Sequence, residues 1–275
     1  MIKKNYFKNL IKIVLVLNLM FLFFEQKVFA TETEINYETE NFVYTVVDEQ
    51  VTISKYIGKD TNIVIPNKID QYDVTKIGDN AFDQCSNIVE VVIPDTVTYI
   101  GDHAFNACEN LTKVSMSPNV THLGMHTFSY CSKLEEILIP DGVKNIGPNA
   151  FRDCSSLKSI TIPDTVTYIG DRALQGCTNL KELVIPDSVE YVGEEAFSKC
   201  INLENVTVSK NLAKINKYAF LGCVSLKNII IPEGIEEIDE AAFGDCVYLA
   251  DITIPNSVTI IADSAFWGRK KRRIN

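Results

Sequence analysis

Apolar residues recur along most of this chain with a period of 23 residues. One unit runs from Thr161 to Leu183 and reads TIPDTVTYIGDRALQGCTNLKEL, and its neighbours keep the same apolar positions. The alternation at Leu183 and Ile185 predicts a short strand with these two side chains pointing inward. A proline follows the strand in most units and ends its hydrogen bonding. Such a period predicts a solenoid, in which every unit stacks on the one before it.

The cysteines follow the same period, in patterns such as Phe105-x-x-Cys108-x-x-Leu111. Apolar residues three apart share one side of a helical or 3₁₀ turn, so each cysteine is predicted to be a small core residue. Stacking brings equivalent Cα atoms to about 5 Å, a distance that also permits disulfides. A row of equivalent inward thiols nevertheless favours reduced cysteines. The eight are Cys85, Cys108, Cys131, Cys154, Cys177, Cys200, Cys223 and Cys246.

A row of glycines precedes the cysteines and gives way to Asn216 and Asp239 late in the chain. Asn and Asp replace glycine most readily where the backbone is left-handed, so a left-handed conformation is predicted for this row. The segment that follows, for example Asp171 to Leu174, is predicted to form a short helical turn on the outside of the coil. The glycines are Gly78, Gly101, Gly124, Gly147, Gly170 and Gly193.

The pattern Ile-Pro-x-x-Val-x-x-Ile-Gly-x-x-Ala-Phe-x-x-Cys-x-x-Leu extends over residues 77–268. It resembles the leucine-rich repeats of the BspA-like bacterial surface proteins. The resemblance implies an α/β repeat solenoid: a right-handed coil with a parallel β-sheet on its concave face and short helical turns outside. It also implies adhesion to proteins of a host or of neighbouring cells.

The chain is predicted to have four segments. Residues 1–30 have the features of a secretory signal peptide: early lysines, an apolar run from Ile13 to Phe24 and small residues up to Ala30. The apolar run is shorter than the ~20 residues of a membrane-spanning helix, so a membrane anchor is the weaker alternative. Residues 31–62 are predicted to form a β-hairpin cap, residues 63–268 the solenoid, and residues 269–275 a basic tail. No transmembrane segment is predicted after cleavage.

The charge balance excludes some partners. Without the five lysines and one glutamate of residues 1–30, 21 basic and 35 acidic residues remain, a net charge of −14. A surface this acidic repels nucleic acid and bare anionic membranes. The basic run Arg269 to Arg273 is the exception. It is either a solvated end or a weak contact to an anionic cell-wall polymer or lipid headgroups.

Candidate catalytic and metal-binding groups are few. His103 and His126 lie one repeat apart, a spacing at which two imidazoles can share a metal ion. Equivalent positions in other repeats vary freely, which favours an ordinary surface position. The thiols are repeated core positions, and no nucleophile elbow, phosphate-binding glycine loop or zinc-binding helix motif is present. The sequence therefore predicts a protein that is not an enzyme and needs no metal or cofactor.

The candidate binding surface is the exposed side of the predicted concave sheet. One exposed row is mostly acidic or amide, and the next alternates apolar and hydroxyl residues, a combination suited to protein binding. β-branched residues suit any sheet, so a purely structural interpretation stays open. The candidate residues are Glu90, Val92, Lys113, Ser115, Glu136, Leu138, Ser159, Thr161, Glu182, Val184, Asn205, Thr207, Asn228, Ile230, Asp251 and Thr253. A second exposed row comprises Tyr99, His122, Asn145, Tyr168 and Tyr191.

Together these features predict a secreted or cell-surface leucine-rich-repeat protein acting as a non-catalytic protein-binding or adhesion module. The expected partner is an extracellular or cell-surface protein, of a host matrix or a neighbouring cell, with a glycan as the second candidate. The alternative is a structural, self-associating cell-wall protein without a specific ligand.

Overall fold

The computed structural model describes residues 35–250 and 252–268. All of these residues except Ile35 lie in one unit, Asn36–Asn275. The predicted signal peptide, the basic tail and Asp251 of the candidate surface lie outside the described residues. The unit is a parallel β-solenoid in which each 23-residue turn stacks on the next.

An antiparallel arrangement of three strands begins the unit: β1 (Asn36–Glu38), β2 (Phe42–Val47) and β3 (Gln50–Tyr56). Asp48 and Glu49 join β2 to β3 with φ of 49° and 61°, as the twist of a two-residue hairpin turn requires. β3 then pairs in parallel with β6 (Tyr72–Ile77), which also pairs with the short antiparallel β5 (Lys68–Ile69). The rings of Phe42 and Tyr56 contact Phe82, so the hairpin covers the first ring of the phenylalanine row that recurs every 23 residues.

Successive turns contribute strands to two rows of parallel strands, which we name the first and second ladders. The first ladder divides into separate sheets between the strands Ser159–Thr161 and Glu182–Val184. The first ladder comprises three-residue strands with a buried middle residue: β4 (Asn62–Val64), β7 (Glu90–Val92), β9 (Lys113–Ser115), β11 (Glu136–Leu138), β13 (Ser159–Thr161), β15 (Glu182–Val184), β17 (Asn205–Thr207) and β19 (Asn228–Ile230). The second continues from β6: β8 (Tyr99–Ile100), β10 (His122–Leu123), β12 (Asn145–Ile146), β14 (Tyr168–Ile169), β16 (Tyr191–Val192), β18 (Lys214–Ile215), β20 (Glu237–Ile238) and β21 (Ile260–Ile261). Partners such as Glu136 and Ser159 lie 23 residues apart, so the sequence period equals the hydrogen-bonding register.

The predicted helical turns are wrong, since the described residues contain no helix. Each of these segments has two left-handed residues four apart, for example His103 and Ala107 with φ of 56° and 53°. Alternate N–H groups donate to the next turn: His103 to Met125 O and Ala107 to Ser129 O, each at 2.8 Å. An α-helix needs a right-handed backbone throughout and N–H groups that bond within the segment. Bonding to the next turn therefore alternates with bonding within the turn, as from Asn106 to His103 O at 3.1 Å.

The predicted left-handed conformation of the glycine row is also wrong. These glycines have no positive φ, and the left-handed residues lie two and six positions further along, as at Asn149 and Asp153 after Gly147. The residues of this row are small because adjacent turns approach closely there. A Cβ on Gly147 would lie 2.6 Å from the carbonyl oxygen of Gly124, and one on Gly170 would lie 2.5 Å from the nitrogen of Pro148.

Asn216 shows what a side chain does in this row. In neighbouring turns a backbone N–H at this position reaches the preceding turn, as from Gly193 to Ile169 O and from Asp239 to Ile215 O. At Asn216 the side-chain amide donates to the equivalent acceptor, the carbonyl of Val192. The second ladder divides into separate sheets at this point, between β16 and β18. The inserted amide thus takes the place of backbone pairing.

Alanine and asparagine at position 147 test this steric explanation. We expect Gly147→Ala to lower the free energy of unfolding by about 1–3 kcal/mol, because the turns must separate. Gly147→Asn should cost at least as much, whereas a left-handed position would favour Asn over Ala. Urea denaturation measures both values.

Gly222 provides the matched control, because its φ is 72° and an added Cβ would meet nothing closer than 3.7 Å. There Asn should be tolerated better than Ala. The same order of Asn and Ala at both positions would contradict the steric explanation.

The core is one continuous stack of apolar rows inside the coil. Phenylalanine rings lie face to face at one-turn spacing: Phe105 and Phe128 have centroids 5.3 Å apart, and Phe128 and Phe151 5.7 Å apart. Leu174 takes the place of one ring, and the stack resumes with Phe197. Because each ring packs on the turns before and after it, no turn holds its core alone.

Candidate functional site

The predicted binding rows lie on the outward face of the first ladder. In each three-residue strand the middle side chain is buried and the two flanking side chains point outward. Of the sixteen predicted residues, fourteen are exposed and Asn205 is half-buried, while Asp251 lies outside the described residues. The strand alternation therefore brings fourteen of them, from Glu90 to Ile230, onto one face, which we name the first-ladder face. Thr253 is exposed but belongs to no strand.

From Val92 onwards, apolar residues on the first-ladder face lie two turns apart, whereas exposed Val64 of β4 lies directly in register with Val92. Leu138, Val184 and Ile230 are 72%, 61% and 80% exposed, and hydroxyl residues such as Thr161 and Thr207 occupy the turns between them. Two turns correspond to about 10 Å, since hydrogen-bonded strands lie ~4.8 Å apart. The face thus presents separate apolar side chains with hydrogen-bonding groups between them.

A cavity of about 310 Å³ interrupts the first-ladder face at β9 and β11. These strands pair only through Lys113 and Glu136, whereas β11 and β13 pair at all three positions. The loss of pairing opens a depression bordered by Leu138, Ser159 and Thr161. Lys113 and Glu136 supply opposite charges at its rim, so the depression offers an apolar wall and both kinds of charge.

The two histidines considered for metal binding form a stacked pair. The rings of His103 and His126 have centroids 4.5 Å apart and an interplanar angle of 9°. Burial, with the neighbouring His103, lowers the pKa of His126. Imidazole lone pairs lie in the ring plane, so parallel stacked rings direct them side by side rather than towards one ion. Within residues 35–250 and 252–268 no group of three His, Cys, Asp or Glu side chains is placed to hold a metal.

The thiols are core groups, as predicted. Those from Cys108 to Cys246 are buried, and each donates a hydrogen bond to a carbonyl of the preceding turn, for example Cys131 Sγ to Phe105 O at 3.2 Å. The seven from Cys85 to Cys223 are free thiols. Burial raises the pKa of Cys200 to about 12 and that of Cys154 well above its usual value. A buried thiol with a raised pKa is a poor nucleophile.

The repeat pattern predicted the second exposed row, but it did not predict that these residues form strands. Its residues belong to the second ladder, where Tyr99 stacks on His122 and Tyr168 stacks on Tyr191. The signal in the sequence was the spacing of Val166 and Tyr168, which recurs at equivalent positions of other units. A strand of two residues makes this pattern very short. The stacked rings cover one another at one-turn spacing.

No part of the chain between residues 35 and 268 that the structure describes supplies a helix able to span a bilayer. The two parallel ladders and the inward rows of Leu, Ile, Val, Phe and Cys define a leucine-rich-repeat-like β-solenoid. The BspA type leucine-rich repeat region matches this chain in six copies, over residues 52–178 and 144–273. The chain therefore belongs to the BspA-type leucine-rich repeat family.

Solved structures of bacterial proteins share the fold. A leucine-rich repeat protein from Bacteroides ovatus is 28% identical with a TM-score of 0.73, over 84% of this chain and 69% of that chain. The leucine-rich repeat protein of T. pallidum is 25% identical with a TM-score of 0.52, over 83% and 86%. The pneumococcal vaccine antigen PcpA is 19% identical with a TM-score of 0.54, over 89% and 82%, a likeness of fold alone. No curated protein matches the chain.

Proposed function

We propose that this protein is a secreted or cell-surface module that binds another protein, without catalysis, through the first-ladder face. The observation that carries the proposal is the exposure of Leu138, Val184 and Ile230 on one face at regular spacing. The free energy falls when a partner covers large apolar side chains that were exposed to water. The intervening hydroxyl and carboxylate groups supply the polar contacts that give an interface its specificity.

The rigidity of the frame supports this role. The first ladder positions its outward side chains through backbone hydrogen bonds between turns, as where Glu182, Asn205 and Asn228 lie in register. The amide of Asn228 also donates to the side-chain oxygen of Asn205 at 2.9 Å. A surface ordered before binding loses less conformational entropy when the partner arrives.

One sequence feature supports a location outside the cell, and another supports a protein partner. The N-terminal segment has the basic start, apolar run and small residues typical of a secretory signal. The remaining chain is strongly acidic, which suits contact with proteins rather than with nucleic acid. The expected partner is a protein of a host matrix or of a neighbouring cell.

The triple variant Leu138→Asp, Val184→Asp and Ile230→Asp tests this function. Three carboxylates on the first-ladder face should weaken binding at least tenfold, because each removes an apolar contact and adds a charge that binding would desolvate. The measurement is binding of the labelled chain, residues 31–275, to immobilised extracellular-matrix proteins and to intact bacterial cells.

A matched control carries aspartate at Tyr130 and Ile201, which are 41% exposed and lie outside both ladders. Both variants should melt close to the parent, since every substituted side chain is exposed. Equal binding by the triple variant and the parent would overturn the proposal. Unchanged retention on the producing cell would instead favour the structural, self-associating alternative.

A further inference from the structure

The second ladder carries a broken row of aromatic rings. Tyr99 and His122 stack with centroids 4.6 Å apart and an interplanar angle of 4°, and Tyr168 and Tyr191 stack at 5.1 Å and 6°. Asn145, exposed, occupies the turn between the two pairs and is in register with Tyr168. A stack that would otherwise be continuous therefore lacks one ring.

The missing ring leaves a slot between His122 and Tyr168. These residues are two turns apart, which separates their rings by about 10 Å along the stack. Each wall ring takes up half of a van der Waals contact distance of about 3.5–4.0 Å, which leaves about 6 Å of free width between the two rings. A saturated six-membered ring, with axial hydrogens on both faces, is thick enough to fill most of this width. A flat aromatic ring can touch only one wall.

The slot is part of a cavity of about 420 Å³ that is lined in part by the small residues Gly124, Gly147 and Pro148, together with Leu123 and Met125. Two polar side chains also line the cavity: the amide of Asn145 and the carboxylate of Asp102. Asp102 Oδ1 accepts the backbone N–H of Met125 at 2.7 Å, which fixes the carboxylate at this edge. An amide that donates and accepts, beside a carboxylate that accepts, matches the hydroxyl groups of a sugar.

From this geometry we propose that the slot binds one uncharged pyranose unit of a glycan, between the rings of His122 and Tyr168. The apolar C–H faces of the sugar pack on the two rings, and its hydroxyl groups bond to Asn145 and Asp102. The carboxylate of Asp102 and the acidic chain disfavour acidic sugars. The slot lies on the second ladder, so this proposal is independent of protein binding by the first-ladder face.

Saturation-transfer NMR with the methyl glycosides of glucose, galactose, mannose and N-acetylglucosamine tests the proposal. At least one glycoside should receive saturation from the parent protein, strongest at the ring protons that face the aromatic walls. Asn145→Tyr fills the slot with a residue that the row already contains at three positions, so it should fold and reduce the transfer at least fivefold. Tyr168→Ala removes one wall and should reduce it likewise.

Tyr130→Ala removes an exposed tyrosine outside the cavity and should leave saturation transfer unchanged. Thermal melting of each variant reports its folding. Absence of transfer to all four glycosides, or transfer that persists in Asn145→Tyr, would overturn the proposal. Transfer to the flat probe p-cresol alone, lost in Asn145→Tyr, would also overturn it, since the slot would then select planar rings.

Discussion

Raising the pH from 8 to 10 is expected to destabilise this protein steeply. Six fully buried thiols have pKa values raised by burial, that of Cys200 to about 12 and the others well above the usual value. In the unfolded chain a thiol has a pKa of about 8.5. The six are Cys108, Cys131, Cys154, Cys177, Cys200 and Cys223.

The sign follows from which state loses protons. Below about pH 8.5 both states keep their thiol protons, and the thiols add no pH dependence. Above it only the unfolded chain ionises, so the folded state loses relative stability until the pH reaches the raised pKa of the folded thiols. In this pH range each buried thiol lowers the free energy of unfolding by about 1.4 kcal/mol per pH unit.

Urea unfolding at pH 8, 9 and 10, with a reducing agent present, measures this slope. Replacing Cys131, Cys154 and Cys177 by alanine should flatten it by about 1.4 kcal/mol per pH unit for each thiol removed. Cys85→Ala is the control, because Cys85 is only half-buried and its removal should change the slope less. If the triple alanine variant keeps the parental slope, the thiols are not the cause of alkaline destabilisation.

Truncating Phe128 to alanine is expected to lower the free energy of unfolding by about 3–5 kcal/mol. Its ring is fully buried between Phe105 and Phe151, so the variant loses two stacking contacts and leaves a cavity shared by three turns. In a solenoid, stability depends on the interfaces between neighbouring turns. One truncation therefore weakens the contacts on both sides.

Phe128→Leu is the matched variant, because Leu174 already occupies the equivalent position and is fully buried. It should cost only about 1–1.5 kcal/mol, since leucine fills most of the space. Urea denaturation followed by circular dichroism gives both values. The slope of the free energy of unfolding against urea concentration reports whether the turns still unfold together. Equal costs for the two variants would show that the ring stack is not the source of stability.

The 23-residue period predicted much of the fold because stacking makes sequence spacing equal to register. Rows of residues that recur every 23 positions had to lie above one another, which placed Cys108 and its equivalents in the core. The short alternation around Ile137 likewise predicted which side chains of the candidate site point outward, and Glu136 and Leu138 are exposed as expected. That these residues bind a partner stays a prediction.

The conformation of the turns needed the tertiary structure. The three-residue spacing of Phe105 and Cys108 is compatible with a helical turn, and their i to i−3 hydrogen bond is present at 3.4 Å. Alternate N–H groups of the segment bond to the next turn instead, and left-handed residues such as His103 and Ala107 make this possible. The local sequence pattern does not determine which of these two acceptors an N–H group uses.

The repeated sequence by itself determined that the turns stack, which residues form the core and which strand positions face water. Only the tertiary structure decided that Gly147 is small for lack of space, that Asn216 interrupts the second ladder, and that Asn145 leaves a slot between two aromatic pairs. The physical reason is that these features depend on distances between residues of adjacent turns. Such distances arise only once the coil has closed.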